Sequence, residues 1–229
     1  MKAPFFEIGP KNYLFGKDII ELARIADIAA KEFDVRVIFT TPYADIRSVS
    51  ECTKNLYVFA PHMDEIPIGR GLASVLPESL KAAGAQGVML NHSERPLTVA
   101  ALCHTVERER ALNMMSIVCA DTIREAKAVA QMDPDMMVVE PVELIGTGEA
   151  CSMDYVKESV AAVHGINPHI GVLVGGGIAN GNDVYNVIMA GADATGSSSG
   201  IAKAADPGAM VREMLRAVRQ AWDDRSKGA

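Results

Sequence analysis

The chain has 229 residues, 49% hydrophobic and 22% charged, which is enough apolar material for a sizeable core and not the makeup of a disordered chain. Asp and Glu outnumber Lys and Arg by 29 to 22, a net charge of −7. That balance argues against a nonspecific nucleic-acid or anionic-membrane partner while leaving room for a local basic pocket that holds a small anion. No apolar run approaches the roughly 18 residues needed to span a bilayer. The opening MKAPFFEIGP meets Pro10 before a secretory apolar segment develops, and Cys52, Cys103, Cys119 and Cys151 lie far apart without a CxxC pair. A cytoplasmic location with reduced thiols is the expectation, and a disulfide scaffold or zinc ribbon is set aside.

In chain order, short apolar or β-branched runs alternate with longer stretches of helical spacing. The strand candidates are Phe5–Ile8, Val35–Thr40, Leu56–Ala60, Gly87–Leu90, Ser116–Cys119, Met136–Glu140, Ile170–Val174 and Asp193–Thr195. Most are continuously apolar, as parallel strands covered by helices are. Among the helical stretches, Val156, Val160 and Val163 follow a candidate cap at Ser152, and Val184, Val187 and Ile188 follow Asn180-Gly181. The last carries Val211, Met214, Leu215, Val218 and Trp222 on one face, with a short polar tail from about residue 223. No linker or charge block divides the chain, so one domain over residues 1–229 is expected. Eight βα units of about 29 residues each suit an α/β fold, either a compact closed (β/α)8 barrel or an open doubly wound sheet. Both place functional residues just beyond the strands' carboxyl ends.

Unusual chemistry collects at those ends. Gly9-Pro10-Lys11 follows the first strand and Asn91-His92-Ser93-Glu94-Arg95 the fourth; Glu140 ends the sixth and leads into Pro141-Val142-Glu143-Leu144-Ile145-Gly146-Thr147-Gly148. The last two strands run into Gly175-Gly176-Gly177-Ile178 and Gly196-Ser197-Ser198-Ser199-Gly200. Singly, each has an ordinary structural reading: a solvated Lys, a packed His, a capping carboxylate, a glycine turn. Together, a cation, an imidazole and a carboxylate face one mouth, beside two turns rich in backbone N–H groups that suit a phosphate. Such a site would hold a phosphorylated small molecule while acid–base groups work on its other end.

At these residues the chain resembles the triosephosphate isomerase family, and most of all its short archaeal form. The likeness runs from about Phe5 to Ala221. Leu90-Asn-His-Ser-Glu-Arg95 and Val139-Glu-Pro-Val-Glu-Leu-Ile-Gly-Thr-Gly148 carry most of it, and Ser116-Ile-Val-Cys-Ala-Asp121 and Ser199-Gly-Ile-Ala-Lys-Ala204 support it. The resemblance implies a TIM barrel that interconverts glyceraldehyde 3-phosphate and dihydroxyacetone phosphate without metal or cofactor. Glu140 would then be the base, His92 the electrophile, Lys11 the cation for phosphate and enediolate, and Glu94 a buried ion-pair partner. Residues 145–148 would be a lid, and Gly9, Lys11, Ile145, Gly146, Gly177, Ser198 and Ser199 would contact substrate or its phosphate. It implies a homodimer or homotetramer, joined through the loop His62–Pro77, and no nucleic-acid or membrane partner.

Two positions depart from the family. Gly9-Pro10-Lys11 stands where the family has Asn-x-Lys, so a substrate-contacting side chain is missing, and Leu72 aligns with a Thr that meets that Asn across the subunit interface. The alternatives are therefore an isomerase for another ketose phosphate, such as a four-carbon one, and a non-catalytic phosphate-binding barrel. A Schiff-base aldolase is discounted because the sixth strand ends in Glu140 and not Lys. A metal-dependent epimerase is discounted because only His62 and His92 of the five histidines fall near carboxyl ends.

Overall fold

The computed structural model describes residues 4–228. Eight parallel strands close in sequence order: β1 Phe5–Ile8, β2 Arg36–Thr40, β3 Leu56–Ala60, β4 Gly87–Leu90, β5 Met115–Ala120, β6 Met136–Val139, β7 Gly171–Val174 and β8 Ala194–Ser197, with β1 paired to both β2 and β8. Closure decides between the two architectures that periodicity left open. Around the barrel run α1 Lys17–Phe33, α2 Ile46–Cys52, α3 Pro77–Ala82, α4 Val99–Ala111, α5 Ile123–Ala130, α6 Met153–His164, α7 Gly181–Met189, α8 Ser199–Ala202 and α9 Pro207–Lys227. None is long and apolar enough to cross a membrane. The chain achieves its compactness with α2, α3 and α8, of only 7, 6 and 4 residues.

The two faces of each strand bury different things. Phe6 and Ile8 of β1 join Val37, Phe39, Val58 and Val88 in the layer between strands and helices, whereas Phe5 packs inside the barrel with Ile38, Phe59, Ile117, Cys119, Met136, Val138, Leu173 and Ala194. Alternation along β1 therefore turns Glu7 inward, above Phe5 and in register with Ile38 and Gly196. Helix boundaries follow local chemistry. Thr122 and Glu125 form a reciprocal capping box on α5, and Ser152 and Asn180 cap α6 and α7 by accepting backbone N–H bonds. Asp206 caps α9, with Pro207 in its first turn.

Two details differ from the sequence reading of the last helix. Ala221, not Trp222, completes its buried face; Trp222 is half-buried, with the Arg225 guanidinium 4.5 Å from its ring centroid. The polar segment from 223 is no tail, because α9 continues to Lys227 and Arg225 donates to the carbonyls of Ile188 and Ala192.

The barrel is tightest at Gly87, where a Cβ would lie 2.3 Å from the Phe59 ring and 2.5 Å from the Met115 carbonyl oxygen. Gly87→Ala is expected to destabilise the fold by about 1–3 kcal/mol through overpacking, read as a lower denaturation midpoint at unchanged slope. An unshifted midpoint would mean that β4 yields more readily than this packing implies.

Candidate active site

One cavity of about 720 Å³ opens over the strands' carboxyl ends. It is lined from β1 by Glu7, Gly9 and Lys11, from β2 by Thr40 and Thr41, and from the loop after β3 by His62. His92 follows β4 and Glu140 follows β6, while Gly175–Gly177 and Ser197–Ser199 close the far side. Ile145 and Gly146 also line it, so every substrate-contacting candidate named from the sequence faces this one space.

Lys11 sits in the left-handed region at φ 50, a sparsely populated conformation for a residue with a Cβ, and its Nζ donates to Glu94 Oε1 at 2.8 Å. The ion pair expected of Glu94 is present but not buried: its side chain is 65% exposed, because the turn after β4 carries it to the rim. The Lys11 hydrogen bond holds the Glu94 carboxyl below the usual range.

Asn91, also at positive φ, clamps that turn. Its Nδ2 donates to the Cys119 carbonyl and its Oδ1 accepts from the Leu97 amide, both at 2.9 Å. His92 is thereby aimed inward. Its Nδ1 accepts the Glu94 amide at 3.1 Å, which leaves the neutral ring's proton on Nε2. Burial, and then the Lys11 charge, pull the His92 pKa down, so the ring is neutral through the physiological range. Nε2 lies 3.7 Å from Glu140 Oε1, beyond a hydrogen bond, and each side chain is only 15% exposed.

Glu140 is the first residue past β6, held by its amide to the Ala120 carbonyl at 3.2 Å. Burial raises its pKa; the Lys11 charge opposes this, and Asp121 and Glu94 add to it. Gly175 leaves room for this carboxylate: a Cβ there would fall 2.8 Å from Glu140 Oε2. The first glycine of that turn thus leaves room for the Glu140 carboxylate, and the third for the loop after β6. Gly177, at φ 72, passes so close under the loop after β6 that a Cβ would overlap the Glu149 carbonyl oxygen. In that loop, Gly146 and Gly148 have φ of 78 and 79 with open space beside them. The amides of Gly177, Ser198 and Ser199 find no acceptor among the described residues, and Ser198 Oγ is buried without a partner. All three residues line the cavity, and free donors of this kind suit an anion.

Sequence comparisons with known proteins converge on one family. The triosephosphate isomerase family model matches residues 11–214. A triosephosphate isomerase of Sulfolobus acidocaldarius is 35% identical over 99% of this chain and 100% of its own length.

The chain belongs to the triosephosphate isomerase family.

A triosephosphate isomerase of Methanobacterium bryantii is 34% identical over 90% of this chain and 93% of its own, so the likeness to the short archaeal form extends to a second lineage. In fold, the crystal structure of triosephosphate isomerase from Bartonella henselae superposes with a TM-score of 0.74 over 96% of this chain and 99% of that one, at 15% identity. The family match begins at Lys11, so Glu7 and Gly9 lie before it. Glu7 and the Asn91 clamp are the features of this triosephosphate isomerase-family site that sequence reasoning passed over. Glu7 was detectable as a single acid inside the apolar run FFEI. The clamp was not, because its partners come from another strand. Leu72, the other departure from the family, stands fully exposed at the tip of the loop after β3.

Proposed function

We propose that Glu140, His92 and Lys11 carry the interconversion of dihydroxyacetone phosphate and glyceraldehyde 3-phosphate in this member of the triosephosphate isomerase family. The Glu140 carboxylate removes the C1 proton of dihydroxyacetone phosphate, and the electron pair of that C–H bond moves through C1–C2 onto the carbonyl oxygen to give the enediolate. His92 Nε2–H donates to that oxygen and recovers the proton of the neighbouring hydroxyl, and Glu140 returns its own proton to C2 as the C1 aldehyde forms. Lys11 offsets the negative charge of phosphate and enediolate. Gly146, Gly177, Ser198 and Ser199 supply amides to the phosphate, and the lid from Pro141 to Gly148 closes over the intermediate, which in open water would expel phosphate. The observation that carries this reading is the 3.7 Å approach of a neutral imidazole to a desolvated carboxylate in the cavity that also holds Lys11.

His92→Asn is expected to lower kcat about 10²–10³-fold, the effect of removing one donor from a developing oxyanion, with a much smaller change in KM. A coupled assay of both triose phosphates tests this, and an unchanged kcat excludes His92 as the electrophile. Ile68 and Leu72 are exposed apolar residues of the loop after β3, and Phe15 and Tyr13 are exposed after β1. They support self-association as a dimer or tetramer, which sedimentation of the chain and a Leu72→Asp variant would measure. The acidic charge balance and unpaired cysteines support a cytoplasmic location.

A further inference from the structure

We propose that Glu7 is a further substrate-contacting residue of this reaction: from the cavity floor its carboxyl group hydrogen-bonds the oxygen-bearing, non-phosphorylated end of the substrate and replaces the side chain that Gly9 lacks. The inference rests on the reading above, since it takes the substrate to be a triose phosphate.

Space is the first argument. A Cβ at Gly9 would lie 2.6 Å from Glu7 Oε1, and a Cβ at Gly196 would lie 2.9 Å from Glu7 Cβ and 3.0 Å from Oε2. Two glycines on two strands therefore leave the room this one carboxyl fills. The volume beside position 9, where Gly9 brings no side chain, belongs to one rising from two residues earlier.

Unmet hydrogen bonding is the second argument. Glu7 is 8% exposed, and that remainder opens into the cavity. Its Oε1 and the Thr40 hydroxyl beside it are both buried without a hydrogen-bond partner of ordinary geometry among the described residues. A buried acid left this way costs stability that the barrel would recover by carrying an apolar residue there, as it does one layer down with Phe5. A ligand arriving from the cavity supplies the missing partner.

The third argument is charge. Lys11 beyond β1, Thr40 on β2, Cys119 on β5 and Glu140 beyond β6 face this carboxyl. Burial pushes its pKa up to about 7 and Glu140 adds to that, against the pull of Thr40 and Lys11. Near neutrality it is thus available as an un-ionised acid, which donates a hydrogen bond to a carbonyl or enediolate oxygen and places no second negative charge beside Glu140.

Two variants and two readouts test the role. Glu7→Leu, which keeps the volume and loses the donor, is expected to lower kcat/KM on both triose phosphates about ten- to hundredfold. Glu7→Gln keeps a donor that does not titrate. The wild-type kcat/KM, which reports groups of the free enzyme, is expected to decline above pH 7 as Glu7 ionises, and the Gln variant to lose that decline. Wild-type kcat/KM in Glu7→Leu, or an unchanged alkaline limb in Glu7→Gln, overturns the proposal. Binding is read separately, by calorimetry of 2-phosphoglycolate at pH 8 in buffers of different ionisation enthalpy. Wild type is expected to take up more protons than the Gln variant, because Glu7 must regain its proton to donate to the bound carboxylate. Equal uptake overturns the role whether or not the chain turns over trioses. A wild type inactive on trioses that still shows the excess uptake refutes the assigned reaction and leaves the Glu7 contact standing.

Discussion

Glu140→Gln is expected to lower kcat on either triose phosphate about 10³–10⁴-fold, at nearly unchanged affinity for a phosphate-bearing inhibitor. A positioned base contributes on this scale, and the loss corresponds to about 4–5.5 kcal/mol of transition-state stabilisation. Glutamine fills the space that Gly175 keeps clear and cannot accept a carbon-bound proton. Folding is not the cause of the loss, and the sign of the charge effect shows why. Burial raises the Glu140 pKa in the folded chain, so the folded state resists ionisation that the unfolded state allows. Wild-type stability therefore falls as pH rises from the unfolded carboxylate's pKa through the folded one. The Gln variant has no such loss, and its thermal midpoint should match wild type in acid and equal or exceed it at neutral pH. Wild-type turnover in this variant would remove Glu140 from the mechanism.

Lys11→Ala should lower kcat/KM about 10²–10³-fold, divided between a higher KM and a lower kcat, as expected if the ammonium serves both the phosphate and the enediolate. Its stability cost is small. The Lys11–Glu94 pair is at the rim with Glu94 mostly exposed, and such pairs contribute at most about 1 kcal/mol. The variant also carries a pH signature. The Lys11 charge lowers the pKa values of both Glu140 and Glu7, so its removal moves the acid limb of the kcat/KM profile, set by Glu140, and the alkaline limb, set by Glu7, to higher pH. Unaltered phosphate affinity together with an unmoved limb would show that Lys11 does not face the bound anion.

The architecture was legible because eight apolar runs, spaced by helical patterns, match the observed strands to within two residues at either end. What periodicity left open was closure, which depends on β1 pairing with β8, a contact between runs nearly the whole chain apart. The strand-end motifs brought Lys11, His92, Glu140, Ser198 and Ser199 to one cavity as expected, since a parallel barrel delivers every carboxyl end to the same face. Burial was harder to read. Glu94 was expected inside and lies at the rim, because the reach of a turn is not written in residue type. Glu7 was read as part of a strand, because only the alternation of β1 against the closed barrel shows that it points at the cavity. The three glycines after β7 read alike in sequence and differ in place: Gly175 leaves room for the Glu140 carboxylate, and Gly177 passes under the loop after β6.

The crowding between positions 7 and 9 has a bearing on how such a barrel diverges. A lineage changing Gly9 alone would drive a new side chain into an occupied space, and one shortening Glu7 alone would leave a hole beneath the catalytic groups. A side chain at 9 therefore needs the Glu7 carboxyl to swing aside, so what position 9 can carry depends on the residue two places earlier.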